Sequence, residues 1–258
     1  PAGLVPPPLV WIHAVSVGET RAAMPLLDAL AARDPRQGFL LTHATPTGRE
    51  TGAELAKRLP GRIVQCYLPY DLPGAVARFL DRWRPACGLL IETEVWPNLA
   101  AVCARRQLPL ALVNGRLSAR SLARGQRQAA LIVPALRRLS AIVVQTPDDA
   151  GRLEVLGRPA DAICGNLKYD ITPSPALIAT GRHWRGRLGE RPVVLAASTR
   201  DGEEDLLIAA WLERLAAGLP SQPSPGTRPL LIIAPRRPQR FEAVADRLVA
   251  GFGAAALA

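Results

Sequence analysis

The sequence predicts an α/β protein built on parallel sheets, and three observations carry that prediction. Short apolar, β-rich runs alternate with stretches of helical period, which is the pattern of βαβ units. The runs are apolar on both faces, as in sheets covered by helices on each side. With 258 residues, 48% hydrophobic and 21% charged, the chain has the composition of a folded globular protein, neither disordered nor fibrous.

Seven strands are expected in a first domain over residues 1–166: Leu9–Val15, Phe39–Thr45, Arg62–Leu68, Gly88–Glu94, Leu108–Asn114, Ala141–Gln145 and Ala162–Gly165. Helices of Ala, Leu and Arg separate them, among them Arg21–Ala32, Gly74–Trp83 and Ser121–Leu139. Residues 167–175 read as a linker, because Tyr-Asp-Ile-Thr-Pro-Ser-Pro carries turn residues and no period. The pattern restarts in residues 176–258 with strand Pro192–Ala197, helix Glu203–Ala217, strand Leu230–Ala234 and helix Gln239–Ala250. A Pro/Ser/Gly loop is expected over Leu219–Pro229. Two strand–helix units are too few for a full sheet, so this second domain is read as incomplete. The start on Pro1 and the apolar finish at Ala258 fit that reading of a cut chain.

Lys plus Arg number 32 against 22 Asp plus Glu, a formal charge of +10, which favours anionic partners. Only Lys57 and Lys168 are lysines. Nucleic acid is not expected as a partner: aromatics are 5%, the arginines are spread through helices, and no binding signature is present. The four cysteines, Cys66, Cys87, Cys103 and Cys164, lack metal spacing and sit in or beside apolar runs, so they are expected to be reduced and buried in a cytosolic protein. The prolines at 6, 7 and 8 would break a spanning helix in the charge-free start, and no signal peptide or membrane span is read.

In open α/β sheets ligands bind outside the carboxyl ends of the strands, so the residues there are the site candidates. Ser16-Val-Gly18-Glu19 follows the first strand. Ser16 and Glu19 either form a helix capping box or place a carboxylate for general-base work on an alcohol. The loop is not a GxGxxG and no acidic residue closes the second strand, so no nicotinamide cofactor is expected. Thr45, Thr47 and Gly48 either cap a helix or cradle a phosphate. Glu92 and Glu94 are expected to alternate on the fourth strand and share a face, either salt-bridged to Arg116 or another arginine, or placed at a site. Asn114 and Arg116 are suited to a sugar hydroxyl or an anion. Ser198, Thr199, Arg236 and Arg237, with Arg240, end the strands of the second domain, where guanidinium groups suit phosphate. His13, His43 and His183 form no ligand cluster, so no metal is expected. A histidine at a strand end is more often a packed polar group than a ligand.

Read in order, these strings resemble the lipid A Kdo transferases, the 3-deoxy-D-manno-octulosonic acid transferases of Gram-negative bacteria. The resemblance runs through Trp11-Ile-His-Ala-Val-Ser-Val-Gly-Glu19, Thr45-Pro-Thr-Gly-Arg49, Tyr67-Leu-Pro-Tyr-Asp71 and Ile91-Glu-Thr-Glu-Val-Trp-Pro-Asn98. It continues through Asn114-Gly-Arg-Leu-Ser118, Gly165-Asn-Leu-Lys-Tyr-Asp170, Ala197-Ser-Thr-Arg-Asp-Gly-Glu-Glu204 and Ala234-Pro-Arg-Arg-Pro-Gln-Arg-Phe241. It implies a GT-B glycosyltransferase of two Rossmann-like domains, with Kdo passing from CMP-Kdo to a lipid A precursor with inversion and without a metal or other cofactor. It implies Glu19 as the base, and an acceptor side of Ser16, Gly18, Thr45, Thr47, Glu92, Glu94, Asn114 and Arg116. The donor side would be Ser198, Thr199, Arg236 and Arg237, and the working place the cytoplasmic face of the bacterial inner membrane. Where the family has Pro-Arg-His-Pro, this chain has Pro235-Arg236-Arg237-Pro238, so no histidine role carries over. The family's membrane anchor and the rest of its C-terminal domain are not among these residues, and the fragment is expected to lack transferase activity by itself. Other readings are a different GT-B nucleotide-sugar transferase or epimerase, and a non-catalytic module for the membrane surface.

Overall fold

A computed structural model describes residues 9–216 and 229–253. They form two compact units that divide between Thr172 and Pro173. The first unit alternates strand and helix: β1 (Leu9–His13), α1 (Val17–Arg33), β2 (Gly38–His43), α2 (Pro46–Arg58), β3 (Ile63–Tyr67), α3 (Pro73–Trp83) and β4 (Cys87–Ile91). It continues with α4 (Pro97–Arg105), β5 (Leu110–Gly115), α5 (Ala119–Arg127), α6 (Ala129–Arg137), β6 (Ala141–Val144), α7 (Pro147–Val155) and β7 (Ala162–Ile163). A 3-10 turn, Leu167–Asp170, ends it, packed on α1 inside the span read as a linker.

The seven strands form one sheet in the order β3-β2-β1-β4-β5-β6-β7, with every pairing parallel. The chain winds outward from β1 to β3, then crosses back to β4 and winds the other way. The reversal leaves a crevice between the carboxyl ends of β1 and β4. Alternation in β1 sends Trp11 to one face and Ile12 to the other, and each face has its own core. Trp11 lies with Leu40, Leu90, Leu110 and Ile142 on one side; Ile12 lies with Ala23, Leu27, Phe39 and Ile91 on the other.

Local chemistry sets the helix starts. Pro opens α2, α3, α4 and α7, where a missing N–H costs nothing and φ is already helical. Ser16, Thr45, Ser118 and Thr146 cap α1, α2, α5 and α7 by accepting a backbone N–H. At α4 the cap comes from far away: Asp71 accepts the N–H groups of Asn98 at 3.0 Å and Leu99 at 2.7 Å.

The second unit contains α8 (Pro175–Leu188), β8 (Val193–Thr199), α9 (Glu203–Ala216), β9 (Leu230–Pro235), a 3-10 turn Pro238–Arg240 and α10 (Phe241–Phe252). β8 and β9 pair in parallel. Val193, Val194 and Leu195 of β8 are exposed, while Ile208 and Val244 are buried. Most of the expected loop Leu219–Pro229, and residues 254–258 of the apolar finish, lie outside the described residues.

Four expectations change. The fourth strand stops at Ile91, because Glu92 takes φ +65° and ends the extended backbone, so Glu92 and Glu94 do not alternate on a strand. The expected helix Ser121–Leu139 is two helices that break at Gln128, whose non-helical backbone closes α5 and opens α6. Helix α8 occupies residues for which no element was expected. Cys164 is exposed, since it follows a two-residue edge strand that nothing covers on its outer side; Cys66 and Cys87 are half-buried, and Cys103 is buried. All four are free.

Candidate active site

The crevice between β1 and β4 is built from the loops that follow β1, β2, β4 and β5. Glu19 is the third residue of α1, and its carboxylate folds back over its own helix start. Val15 N–H donates to Glu19 Oε2 at 2.7 Å, and Ser16 Oγ donates to Glu19 Oε1 at 3.2 Å. A second loop secures that peptide from behind: Thr45 Oγ1 donates to Val15 O at 2.9 Å while accepting the Gly48 N–H. Gly48 is required at this contact, since a Cβ would stand 2.7 Å from Val15 O and 2.9 Å from Thr45 Oγ1. The geometry is that of a helix cap, Ser16 Oγ accepting the Glu19 N–H at 3.4 Å, and the contacts from Val15 and Ser16 fix the carboxylate in place.

Burial pushes the Glu19 carboxyl above its ordinary value; the Val15 N–H opposes this, and the negative charges of Glu94 and Glu92 add to it. The structure thus brings Glu92 and Glu94 close enough to Glu19 to act on its charge. Glu94 is itself raised, chiefly by burial, although Trp96 Nε1 donates to its Oε2 at 2.6 Å. The expected Arg116 partner is replaced by Lys168, whose Nζ stands 2.7 Å from Glu92 Oε1 in a charge contact that is too poorly aimed to be a hydrogen bond.

Asn114 lies at a bulge in β5, where the register with β6 shifts and φ is +56°. Such bulges re-aim a side chain. Its Oδ1 accepts the Leu167 N–H at 3.1 Å, which brings the 3-10 turn carrying Lys168 over the ends of β4 and β5. Arg116 N–H donates to Glu92 O at 3.3 Å, and the Arg116 side chain is exposed. Thr47 and Gly18 are exposed at the starts of α2 and α1. Beneath the row, His13 is fully buried. Its Nδ1 meets Thr42 Oγ1 at 2.9 Å, and its ring packs edge-on against Trp96 at 5.9 Å. Burial drives its pKa down to about 4, so the ring is neutral.

Three buried side-chain atoms have no hydrogen-bond partner among the described residues: His13 Nε2, Glu92 Oε1 and Asn114 Nδ2. All three stand at the carboxyl ends of the adjacent strands β1, β4 and β5. Glu92 Oε1 is answered by the Lys168 charge, whereas His13 Nε2 and Asn114 Nδ2 are unmet; an unmet buried polar group costs about 1–3 kcal/mol, so these two atoms mark a place suited to a polar ligand or water. Lys168, Trp96 and His13 were not among the sequence-derived site residues. The available signal for Lys168 was its rarity, one of two lysines in an arginine-rich chain.

In the second unit, Thr199, Arg236 and Arg237 surround a cavity of about 620 Å³ together with Arg200, Asp201 and Arg240. Arg240 is committed: it grips both oxygens of the buried Glu204 at 2.9 Å and also pairs with Asp201. That fork holds the Glu204 carboxyl down at about 2. Thr199 Oγ1 donates to the same carboxylate at 2.7 Å. Arg200, Arg236 and Arg237 make no ion pair among the described residues. Ser198 sits at a bulge in β8 with φ +61°, outside that cavity's lining. Among the described residues no group of three or more His, Cys, Asp or Glu could hold a metal, and no helix is long and apolar enough to cross a membrane.

Solved structures share this architecture. The UDP-GlcNAc 2-epimerase of Neisseria meningitidis matches with a TM-score of 0.57 at 13% identity, over 92% of this chain and 74% of that one. UGT2 of Phytolacca americana, complexed with UDP-2fluoro-glucose and pterostilbene, matches with a TM-score of 0.50 at 15% identity, over 90% and 72%. The doubly wound parallel sheet is that of the GT-B glycosyltransferases and epimerases. Within that class sequence decides: the family described as 3-deoxy-D-manno-octulosonic-acid transferase (kdotransferase) matches residues 2–171. The 3-deoxy-D-manno-octulosonic acid transferase of Bordetella pertussis is 45% identical over 97% of this chain, and that of Haemophilus influenzae is 34% identical over 96%. The chain belongs to the Kdo transferase family. It spans 56% of the length of each of these two relatives.

Proposed function

We propose that these residues supply the base and the acceptor side of a Kdo transfer, from CMP-Kdo to a hydroxyl of a lipid A precursor, in lipopolysaccharide biosynthesis. The observation that carries the reading is Glu19: a fixed, half-buried carboxylate at the switch point, its basicity raised by burial and by two neighbouring carboxylates. It accepts the proton of the acceptor hydroxyl as that oxygen attacks the anomeric carbon of Kdo. CMP leaves from the opposite face with the bonding electrons on its phosphate, so the configuration inverts. Arg236 and Arg237, with Ser198 and Thr199, are the proposed donor-side residues, and free guanidinium groups suit a phosphate or a carboxylate. Glu92, Asn114 and Arg116 are proposed to hold the acceptor's hydroxyls and anionic groups, with Ser16, Gly18, Thr45 and Thr47 shaping the loops around them. No metal is needed in this scheme, because the base and the departing phosphate take up the charge. The cytoplasmic face of the bacterial inner membrane is part of the same proposal, supported by the family's lipid acceptor.

The test is Glu19→Gln in the complete gene product, assayed for transfer of Kdo from CMP-Kdo. Gln keeps the shape and can still accept the Val15 N–H, while losing basicity. Turnover should fall roughly a hundredfold or more, the size of a general-base contribution, with the fold unchanged. A folded variant working near the wild-type rate would remove Glu19 from the base role.

A further inference from the structure

Next to the crevice, a cavity of about 410 Å³ opens between the end of β5 and helices α5, α6 and α7. Its volume is that of a small-ligand pocket, ~300–1,000 Å³. The interior is aliphatic: Leu112, Leu117, Ile132, Leu136 and Leu156 line it, and Leu112, Leu136 and Leu156 belong to the main core. Gly125 of α5 lies on the wall, where a Cβ would come within 3.2 Å of Leu156 Cδ1, so the missing side chain lets α5 pack close against Leu156 and an added methyl would push that side chain. Thr93, Ser121 and Gln128 also line the cavity, but its aliphatic wall suits a hydrocarbon.

The mouth is charged. Arg116 and Arg124 stand there without an ion pair among the described residues, together with Glu92 and Glu94. The two carboxylates are already answered, Glu92 by Lys168 and Glu94 by the Trp96 N–H with its carboxyl raised by burial. The cations in excess are the two arginines.

We propose that this cavity takes an alkyl chain of an amphiphilic ligand, with the ligand's anionic head group at Arg116 and Arg124. The proposal rests on the reading of the acceptor as a lipid, and it adds a place for one hydrocarbon tail inside the protein, beside the base. Leu117 and Gly125 then set the length and width of chain admitted, and the two arginines set the preference for a phosphate-bearing head.

Calorimetric titration of the 258-residue chain with octyl, decyl and dodecyl phosphate, below their micelle concentrations, tests it, with inorganic phosphate as the head-group control. Affinity should rise roughly tenfold for each two methylenes added, as hydrocarbon burial requires. Leu117→Trp, which fills the mouth, should weaken dodecyl phosphate tenfold or more; Leu117→Ala, which leaves it open, should not. Arg116→Gln with Arg124→Gln should weaken dodecyl phosphate while sparing dodecyl maltoside, whose head is neutral. If Leu117→Trp disturbs folding, as a melting curve would reveal, Gly125→Ala narrows the same space from the helix side. Binding that ignores chain length overturns the proposal. So does chain-dependent binding that neither cavity variant reduces, since the hydrocarbon then sits elsewhere, for instance on the exposed strand β8. Calorimetry needs no transfer, so a negative result here leaves the outcome for Glu19→Gln standing.

Discussion

At the scale of single residues, the site is a balance of like charges. Glu19 is raised first by burial and then by Glu94 and Glu92, so removing a neighbouring charge lowers it. Glu94→Gln in the complete gene product should therefore extend activity to lower pH, because the base stays ionised further into acid. The acid limb of the rate profile reads this directly, and a limb that stays put or moves to higher pH contradicts the coupling. Ser16 and Glu19 were legible in the sequence because their spacing is local: a cap and a carboxylate three residues on. Glu92 was legible as a candidate but its conformation was not, since Glu-Thr-Glu reads as a strand and nothing local announces a glutamate at φ +65°. The pairing of Glu92 with Lys168 spans 76 residues of chain, a distance no motif encodes.

At the scale of elements, the loops after β1 and β2 act as one piece. Gly48→Ala would drive a methyl against Val15 O and Thr45 Oγ1, so α2 must back away from the peptide that holds Glu19. We expect a loss of about 1–3 kcal/mol in stability, as for other overpacked contacts, together with a fall in kcat. Urea denaturation checks the first and the transfer assay the second; a variant as stable as wild type would show that the contact yields freely. The strands were well predicted because parallel, doubly covered strands are continuous apolar runs between turn residues. Helix α8 was missed, because its mixed sequence of Gly, Arg and single apolar residues has no clear helical period. The break between α5 and α6 has no Gly or Pro at Gln128 to announce it.

At the scale of the whole molecule, the two units differ in how much core they bury. Both faces of the seven-stranded sheet are covered, whereas β8 leaves Val193, Val194 and Leu195 exposed. The division of the chain was visible in the sequence as a run of turn residues, but the anchor of the second unit was not. Glu204, in β8's companion helix α9, is sealed under Arg240. Its carboxyl is depressed to about 2 in the folded unit, so the stability it contributes is present above the ordinary carboxyl value and is lost as pH falls from there toward about 2. Protection of the β8 and β9 amides from hydrogen exchange, taken relative to the intrinsic rate at each pH, should fall over that range in wild type. Glu204→Gln should flatten that dependence while lowering protection at neutral pH. Protection factors in wild type that stay constant over this range would mean the fork does not anchor the unit.

The placing of β1 between β2 and β4 has a consequence for synthesis on the ribosome. β2 follows β1 closely and can pair with it early, yet the other edge of β1 stays open until Cys87–Ile91 has emerged. At about 5–20 residues per second, the 48 residues from Ala44 to Ile91 take roughly two to ten seconds. Throughout that interval the strand that leads into the Glu19 loop presents an unpaired apolar edge, so the time of greatest risk for misassembly falls on the half-built candidate site itself.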